Sequence, residues 1–232
     1  MSTLRMTGDL RRQLILGAAK RCFARNGFAG TTTKSVAAAA SISEALLFKH
    51  FPTKSALYAE ILAEECEADP AMHWLLGLEP STESLVILMR AIVHHFLHAS
   101  DAPDQEEAQR LRLMISSQLD DGEFARLLYG KIADWIEPVF VRSLERAVAA
   151  GDASRVGSEP LSLFWFAHHT LLMMALGRLP AVPCVSYGNA ADLERQVCEF
   201  ILRGIGLNET AIASQLDREM LVPGQPVAAE GG

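Results

Sequence analysis

The sequence is poor in cysteine, lacks strand-like alternation and contains no apolar run long enough for a membrane span. Its four cysteines are scattered over 232 residues without a CxxC pair, a pattern typical of buried free thiols in a reducing cytosol. The most apolar window, residues 161–176, is interrupted by His168 and His169 and is short for a transmembrane helix. The polar, charged N-terminus carries no secretory signal. We therefore expect a cytoplasmic protein that does not insert into a membrane.

Charge is distributed unevenly along the chain. Acidic residues outnumber basic ones by 28 to 21, and a formal net charge of −7 by itself argues against a nucleic-acid partner. The distribution reverses this inference, because residues 1–55 contain nine Lys and Arg against two acidic residues, while residues 56–232 are strongly acidic. A basic head on an acidic body indicates a protein that meets a polyanion at one end only.

Apolar residues recur at helical spacing along most of the chain, and no segment shows the alternation and turns of a β-hairpin. The first helix is predicted from Asp9 to Asn26, with one apolar stripe and Gly27 as its stop. A longer helix is predicted after Thr53, fading near Asp69, which precedes a proline. Further helices are predicted at about residues 81–100, 105–119, 122–150, 159–178 and 190–205. We therefore predict an all-α fold.

The helices group into a small basic domain and a larger acidic one. We predict a flexible arm, a three-helix DNA-binding domain of the helix-turn-helix type, a larger C-terminal helical bundle and a disordered tail rich in Pro, Gly and Ala. The helix that follows Thr53 is shared between the two domains. The predicted boundaries are 1–8 for the arm, 9–55 for the helix-turn-helix domain, 56–220 for the bundle and 221–232 for the tail.

Residues 27–54 carry the features of two short helices joined by a tight turn. Thr32 and Ser43 can each cap the start of a helix. The helix after Thr32 has small residues on its inward face, which lets the helix after Ser43 cross it closely. The helix after Ser43 places Leu47 and Phe51 inward. A helix-turn-helix presents the N-terminal part of its second helix to base edges in the major groove and neighbouring caps to phosphates.

This stretch, together with the first helix, resembles the tetracycline-repressor (TetR) family of bacterial transcription regulators. The resemblance covers about residues 10–62 in three correctly spaced family motifs: R-x-x-I-L-x-A-A-x-x-x-F, G-[FY]-x-x-T-[ST]-x-x-x-[IV]-A and L-Y-x-H-F-x-x-K. The residues at these positions are Arg12, Ile15, Leu16, Ala18, Ala19, Phe23, Gly27, Phe28, Thr31, Thr32, Val36, Ala37, Leu47, Phe48, His50, Phe51 and Lys54. Residues 63–232 are similar to the family only in length and helical character.

The resemblance implies which residues meet DNA. It places phosphate contacts at Thr31, Thr32, Ser43, His50 and Lys54. It places Glu44, Ala45, Leu46 and Lys49 nearest the base edges. Arg11 and Arg12, at the start of the first helix, are implied to reach a neighbouring phosphate or the minor groove.

Two positions depart from the family pattern. Ser41 replaces the usual turn glycine, and a non-glycine residue held at positive φ costs about 1–2 kcal/mol. Phe48 replaces the usual tyrosine and so loses a hydroxyl donor to a phosphate, worth about 0.5–1.5 kcal/mol. We expect weakened but not abolished DNA binding.

The resemblance further implies that the C-terminal bundle forms a homodimer and binds a small-molecule effector. Dimerisation also follows from geometry, because one short helix reads few base pairs whereas a two-fold dimer reads a palindrome. Candidate interface residues, which can equally fill the core of one subunit, are Leu163, Phe164, Phe166, Leu171 and Met174. Candidate lining residues of a largely apolar effector site, which can equally be plain core, are Met89, His94, Phe96, His98, Met114, Trp135, His168 and Met173.

The leading hypothesis is a ligand-responsive repressor, with palindromic double-stranded DNA, a second copy of the chain and an effector as its partners, and with neither cofactor nor metal. His94 and His98 lie one helical turn apart, but only His168, His169 and Asp101 suggest themselves as further zinc ligands. The alternatives are a metal-dependent helical-bundle enzyme and a DNA-binding protein without a ligand. An enzyme is disfavoured, since paired Glu-x-x-His sites, a nucleophile elbow and a phosphate loop are all absent from the sequence.

Overall fold

A computed structural model describes residues 8–98, 105–180, 182, 184–188 and 190–217, and within these ranges the chain is helical without a named strand. The described part contains α1 (Gly8–Gly30), α2 (Thr33–Ala39), α3 (Glu44–His50), α4 (Lys54–Ala68), α5 (Pro70–Leu76), α6 (Thr82–His98), α7 (Gln105–Leu119), α8 (Glu123–Ala150), α9 (Pro160–Arg178), α10 (Ala190–Gly204) and α11 (Glu209–Leu216). The all-α prediction is therefore confirmed. The predicted tail and residues 1–7 of the predicted arm lie outside the described ranges, whereas Gly8 already belongs to α1.

The long predicted helices all form, and their bounds fall within a few residues of the prediction. Two short helices were missed, α5 and α11. Each had a local signal, because the Asp69 side chain accepts from the backbone N–H of Ala71 and that of Asn208 accepts from Ala211. Within the part that the structure describes, no helix is both long and apolar enough to cross a membrane.

The chain divides into two compact units. Unit 1 comprises residues up to 66 together with 112–131, and unit 2 comprises residues 67–111 with those from 132 onward. Helices α7 and α8 therefore each contribute residues to both units. The predicted boundary at residue 55 separates a DNA-binding domain from a ligand-binding and dimerisation bundle, and it stays a prediction.

Unit 1 is built on apolar faces of α1 and α4 and on the start of α8. Ile15 and Leu16 of α1 and Leu57 of α4 are almost completely buried. Phe124 of α8 joins an aromatic cluster, with its ring centroid 5.6 Å from that of Tyr58 and 6.3 Å from that of Phe28. Residues far apart in sequence thus stabilise the platform that carries α2 and α3.

Unit 2 has α6 packed against α9 and α10, with Leu88, Phe140 and Leu202 among its fully buried side chains. An isolated antiparallel β-bridge joins Ala153 to Leu207 in this unit. At this bridge Gly206 has φ 103°, and a Cβ there would lie 2.3 Å from the carbonyl oxygen of Ser154. Only glycine satisfies both the conformation and the close approach.

Candidate nucleic-acid interface

The helix-turn-helix follows a kink near the end of α1. Gly27 has φ 66° and breaks the helical path, as the sequence predicts. Thr31 follows and is completely buried, and its hydroxyl donates to the carbonyl oxygens of Cys22, at 3.1 Å, and Gly27, at 2.8 Å. The implied phosphate contact by Thr31 is therefore replaced by an internal one. A side chain without exposed surface holds the helix end rather than a ligand.

Lys54 binds the same helix end. Its Nζ donates to the carbonyl oxygen of Phe28 at 2.9 Å and to that of Thr31 at 3.1 Å, and lies 4.2 Å from the centroid of the Phe28 ring. Partial burial lowers the pKa of Lys54 below its ordinary value. Two of its three ammonium hydrogens are used inside unit 1, so this lysine first positions the motif and only then can meet a phosphate.

Helix α2 starts with a capping box. The Thr32 hydroxyl accepts from the backbone N–H of Ser35 at 3.0 Å, and the Ser35 hydroxyl lies 3.2 Å from the backbone N of Thr32. Thr32 is exposed, as a phosphate-contacting cap requires, whereas Val36 and Ala37 are buried beneath it. Lys34, also exposed on this first turn, is a basic residue that sequence reasoning left out of the site.

The turn between α2 and α3 keeps the conformation of the glycine that the family pattern contains. Ser41 has φ 55°, and no other non-glycine residue in the described ranges has positive φ. The turn is closed by hydrogen bonds from the N–H of Ser41 to the carbonyl of Ala38, at 3.1 Å, and from Ile42 to Ala37, at 3.0 Å. The strain predicted from the sequence is therefore present.

Helix α3 presents one face to solvent. Leu47 and Phe51 are buried, as predicted, whereas Ala45, Phe48 and Lys49 are exposed. Leu46 and His50 are half-buried at the edges of this face. Ser43 caps the helix by accepting from the N–H of Leu46 at 3.2 Å. Glu44 accepts a short hydrogen bond from the Thr33 hydroxyl, which fixes its carboxylate at the junction of the two helices.

Arg12 of α1 is occupied by contacts within unit 1. Its guanidinium lies 2.6 Å from a carboxylate oxygen of Glu60 and 4.4 Å from the centroid of the Phe51 ring. Lys131 binds the other oxygen of Glu60 at 2.8 Å. Burial raises the pKa of Glu60, but hydrogen bonds from Lys131 and Arg12 outweigh it and hold the pKa below its ordinary value. Arg12 therefore has a structural role in unit 1, and its implied DNA contact stays a prediction, as does that of the half-buried Arg11.

The candidate interface residues of α9 do not share one face. Leu163, Phe164 and Leu171 are at most 6% exposed, because they fill the core of unit 2. Phe166 is 67% exposed, and Met174 is half-buried. The predicted surface is therefore corrected to exclude the first three residues. The sequence did not distinguish the faces because α9 is apolar almost all round.

The candidate effector residues are dispersed. Met114 belongs to unit 1 and the other seven to unit 2. Met89, Phe96 and His168 are buried, Met114 is buried in its own unit, and Trp135 is half-buried. Met173 is 63% exposed, which removes it from an enclosed site. The structure thus brings together only part of the predicted set.

His168 lies among aromatic rings. Its ring centroid is 5.1 Å from that of Phe96 and 5.4 Å from that of Trp165. Burial, with smaller effects from His169 and His95, lowers the pKa of His168 to about 4. It is therefore neutral at pH 7. The two candidate histidines of α6, His94 and His98, instead converge on Glu194 of α10, which sequence reasoning missed.

Known proteins share both this motif and this fold. Residues 15–61 match the profile of the bacterial regulatory proteins of the tetR family. Over 146 residues the chain is 32% identical to the HTH-type transcriptional repressor Rv1474c of Mycobacterium tuberculosis, a match that covers 62% of this chain and 65% of that protein. The chain thus spans just under two thirds of the length of this relative.

Solved structures extend the likeness to both units. The structure of RolR in complex with the ligand resorcinol has a TM-score of 0.60 at 15% identity, covering 93% of this chain and 96% of RolR. A complex of SmeT with triclosan has a TM-score of 0.54 at 22% identity, covering 87% and 93% of the two chains. At these identities the likeness establishes the fold alone. Together with the profile match, it shows that the chain resembles the TetR family of bacterial regulatory proteins, in sequence over residues 15–61 and in fold over most of its length.

Proposed function

We propose that the protein is a transcriptional regulator, most simply a repressor, which binds a palindromic operator as a homodimer and is released from it by a small molecule. The observation that carries the proposal is the geometry of α3. Ala45, Phe48 and Lys49 project into solvent from a short helix whose opposite face, Leu47 and Phe51, is buried in unit 1. A short helix anchored in this way can enter the major groove without losing its own packing.

The side chains at this surface divide into two roles. Thr32 and Ser43 lie exposed at the starts of α2 and α3, where backbone N–H groups and hydroxyls can bind phosphate oxygens. Lys49 is the exposed cation of α3, and Ala45 on its first turn offers a methyl group to thymine. Glu44 can accept a hydrogen bond from cytosine, provided that it exchanges its Thr33 contact for the base. We infer that α3 reads sequence and the caps set its register.

The exposed apolar residues of α9 and α10 support a dimer. Phe166 and Met173 of α9, which are two helical turns apart, are 67% and 63% exposed, and Phe200 of α10 is 65% exposed. Exposed aromatic and methionine side chains on neighbouring helices are typical of an interface between protein chains. A two-fold dimer through this surface would pair two copies of α3, as a palindrome requires.

The effector is proposed to act through α7 and α8. Both helices contribute residues to unit 1, where Phe124 packs against Tyr58 and Lys131 binds Glu60 of α4. An effector that prefers one arrangement of α8 in unit 2 would therefore change the support of the helix-turn-helix. The aromatic rings around His168 favour a largely apolar effector, to which the neutral imidazole could offer one polar contact. The similar structures of RolR with resorcinol and SmeT with triclosan support an aromatic compound.

The test is footprinting of the purified chain on the DNA upstream of its own gene at low salt, repeated with aromatic compounds that raise its melting temperature. We expect a protected palindrome that Lys49→Ala weakens and that a stabilising compound releases. The proposal that the protein is a regulator is rejected if the unaltered chain protects no DNA and Lys49→Ala binds DNA no differently from it. Protection that no stabilising compound changes would instead support a DNA-binding protein without a ligand.

A further inference from the structure

Three metal-ligating side chains of unit 2 meet at the contact between α6 and α10. The Nδ1 atom of His94 lies 3.3 Å from the Oε2 atom of Glu194, and the Nε2 atom of His98 lies 3.4 Å from the same oxygen. All three ligand atoms lie within 4.8 Å of one another, and the two imidazole centroids are 4.2 Å apart. Two histidines and one carboxylate thus converge on a single point.

The two nitrogen-to-oxygen separations are those of ligands around one tetrahedral ion. Zinc binds imidazole nitrogen and carboxylate oxygen at about 2.0–2.2 Å, and tetrahedral ligands at such bond lengths lie roughly 3.3–3.5 Å from each other. Both nitrogen-to-oxygen distances fall in this range. An ion could therefore enter with small rotations of the side chains and no movement of the helices.

The ligands are carried by rigid, accessible positions. His94 and His98 are one turn apart on α6, and beneath them Val93 and Leu97 are buried. Cys198, one turn after Glu194 on α10, is also buried. The histidine and glutamate side chains themselves retain between 36% and 48% of their exposure, so an ion from solvent can reach them.

We propose that His94, His98 and Glu194 form a binding site for a zinc-class divalent cation, which cross-links α6 to α10. Imidazole with a single carboxylate selects zinc, cobalt or nickel over magnesium and calcium, which prefer all-oxygen ligands. Three protein ligands leave a fourth position for water or for an oxygen or nitrogen donor of another molecule. The site goes beyond the proposed regulator and does not depend on DNA or on the organic effector.

The test uses the full chain, stripped of metal with a chelator and dialysed against ZnCl₂, with bound zinc measured by atomic emission. We expect one equivalent of zinc per chain and a melting temperature that rises by several degrees at saturating zinc. His94→Gln and Glu194→Gln should each weaken zinc binding by more than about tenfold, since even changes outside the ligand shell cost on that order. His95→Gln, on the same helix and exposed, is the matched control and should bind like the unaltered chain.

Cobalt distinguishes this site from adventitious binding by thiols. Co²⁺ should give the visible absorption of a tetrahedral nitrogen and oxygen site, without the near-ultraviolet band of a cobalt–thiolate bond. The proposal is overturned if zinc does not bind, if His94→Gln and Glu194→Gln bind it as well as His95→Gln does, or if the cobalt spectrum shows thiolate ligation. Circular dichroism of each variant establishes that weaker zinc binding does not result from unfolding.

Discussion

Lys54 donates from Nζ to the main-chain carbonyl oxygen of Phe28 at 2.9 Å while lying 4.2 Å from the centroid of the Phe28 ring. The Lys54 ammonium group, which the resemblance implies contacts a DNA phosphate, is therefore already bound at the end of α1. We expect Lys54→Met to lower the free energy of unfolding by about 1.5–3 kcal/mol, because it removes hydrogen bonds from a charged donor. Urea unfolding measures this change.

Lys49→Met is the matched comparison for Lys54, because Lys49 is exposed on α3. It should leave the free energy of unfolding within about 0.5 kcal/mol of the unaltered chain. It should instead reduce the salt dependence of DNA binding. The slope of the logarithm of the binding constant against the logarithm of the salt concentration should become shallower by about one for each phosphate that the lysine neutralises. Equal effects of the two substitutions on both measurements would contradict this division of roles.

Replacing Ser41 should reveal the strain in the turn. At φ 55° a glycine avoids a steric cost of about 1–2 kcal/mol but loses more entropy on folding, about 0.5–1 kcal/mol. Ser41→Gly should therefore raise the free energy of unfolding by up to about 1.5 kcal/mol, and the β-branched variant Ser41→Val should lower it. The urea midpoints of the two variants, compared at constant m-value, show whether each substitution raises or lowers the free energy of unfolding. A destabilised Ser41→Gly would show that the Ser41 side chain itself stabilises the turn.

Phe48 is 44% exposed on the face of α3 that is proposed to enter the groove. Phe48→Tyr adds a hydroxyl donor, so DNA binding should tighten by about 0.5–1.5 kcal/mol, equally on operator and unrelated DNA. Fluorescence anisotropy at fixed salt measures both affinities. A change in sequence preference would instead mean that residue 48 reads bases.

Phe166 should separate dimerisation from folding. Phe166→Glu places a charge on an exposed apolar surface, so we expect a monomer with unchanged helical content and weaker operator binding. Val182→Glu, at a position 82% exposed outside the helices, is the control and should remain dimeric. Light scattering after size-exclusion chromatography measures the mass, and a Phe166→Glu dimer would remove this surface from the interface.

The neutral state of His168 should make stability depend on pH. Its folded-state pKa of about 4 lies below the ordinary value of 6.5, so the unfolded chain binds the proton more readily. The stabilisation is complete above pH 6.5 and decreases as the pH falls towards 4. We expect the free energy of unfolding to fall by about 2 kcal/mol between pH 7 and pH 5. Urea unfolding of His168→Gln should lack this part of the decrease, while exposed His169→Gln should keep it.

Local signals account for most of what could be predicted. The caps at Thr32 and Ser43, the stop at Gly27 and the buried pair Leu47 and Phe51 depend on neighbours within a few residues, so they can be read along the chain. The short helices α5 and α11 also had capping residues, at Asp69 and Asn208, but their few residues formed no recognisable period. A capping residue that is not followed by apolar residues at helical spacing predicts a helix only weakly.

The residues predicted to contact DNA show which features cannot be predicted from local sequence. Thr31, Lys54 and Arg12 stand at the expected positions, but whether they face DNA depends on partners such as Phe28 and Glu60. Sequence spacing does not state which partner is closer. The apolar run of α9 likewise could not separate buried Phe164 from exposed Phe166, because nearly every position is hydrophobic.

The sequence by itself determined the helical architecture and the surface helix of the motif, since both follow from periodicity and capping within single helices. Only the tertiary structure decided that residues 112–131 pack with the helix-turn-helix and that Glu194 lies beside His94 and His98, about 100 residues away. Such contacts arise when helices distant along the chain bury their apolar faces together. That packing then sets which polar groups meet, which no local pattern specifies.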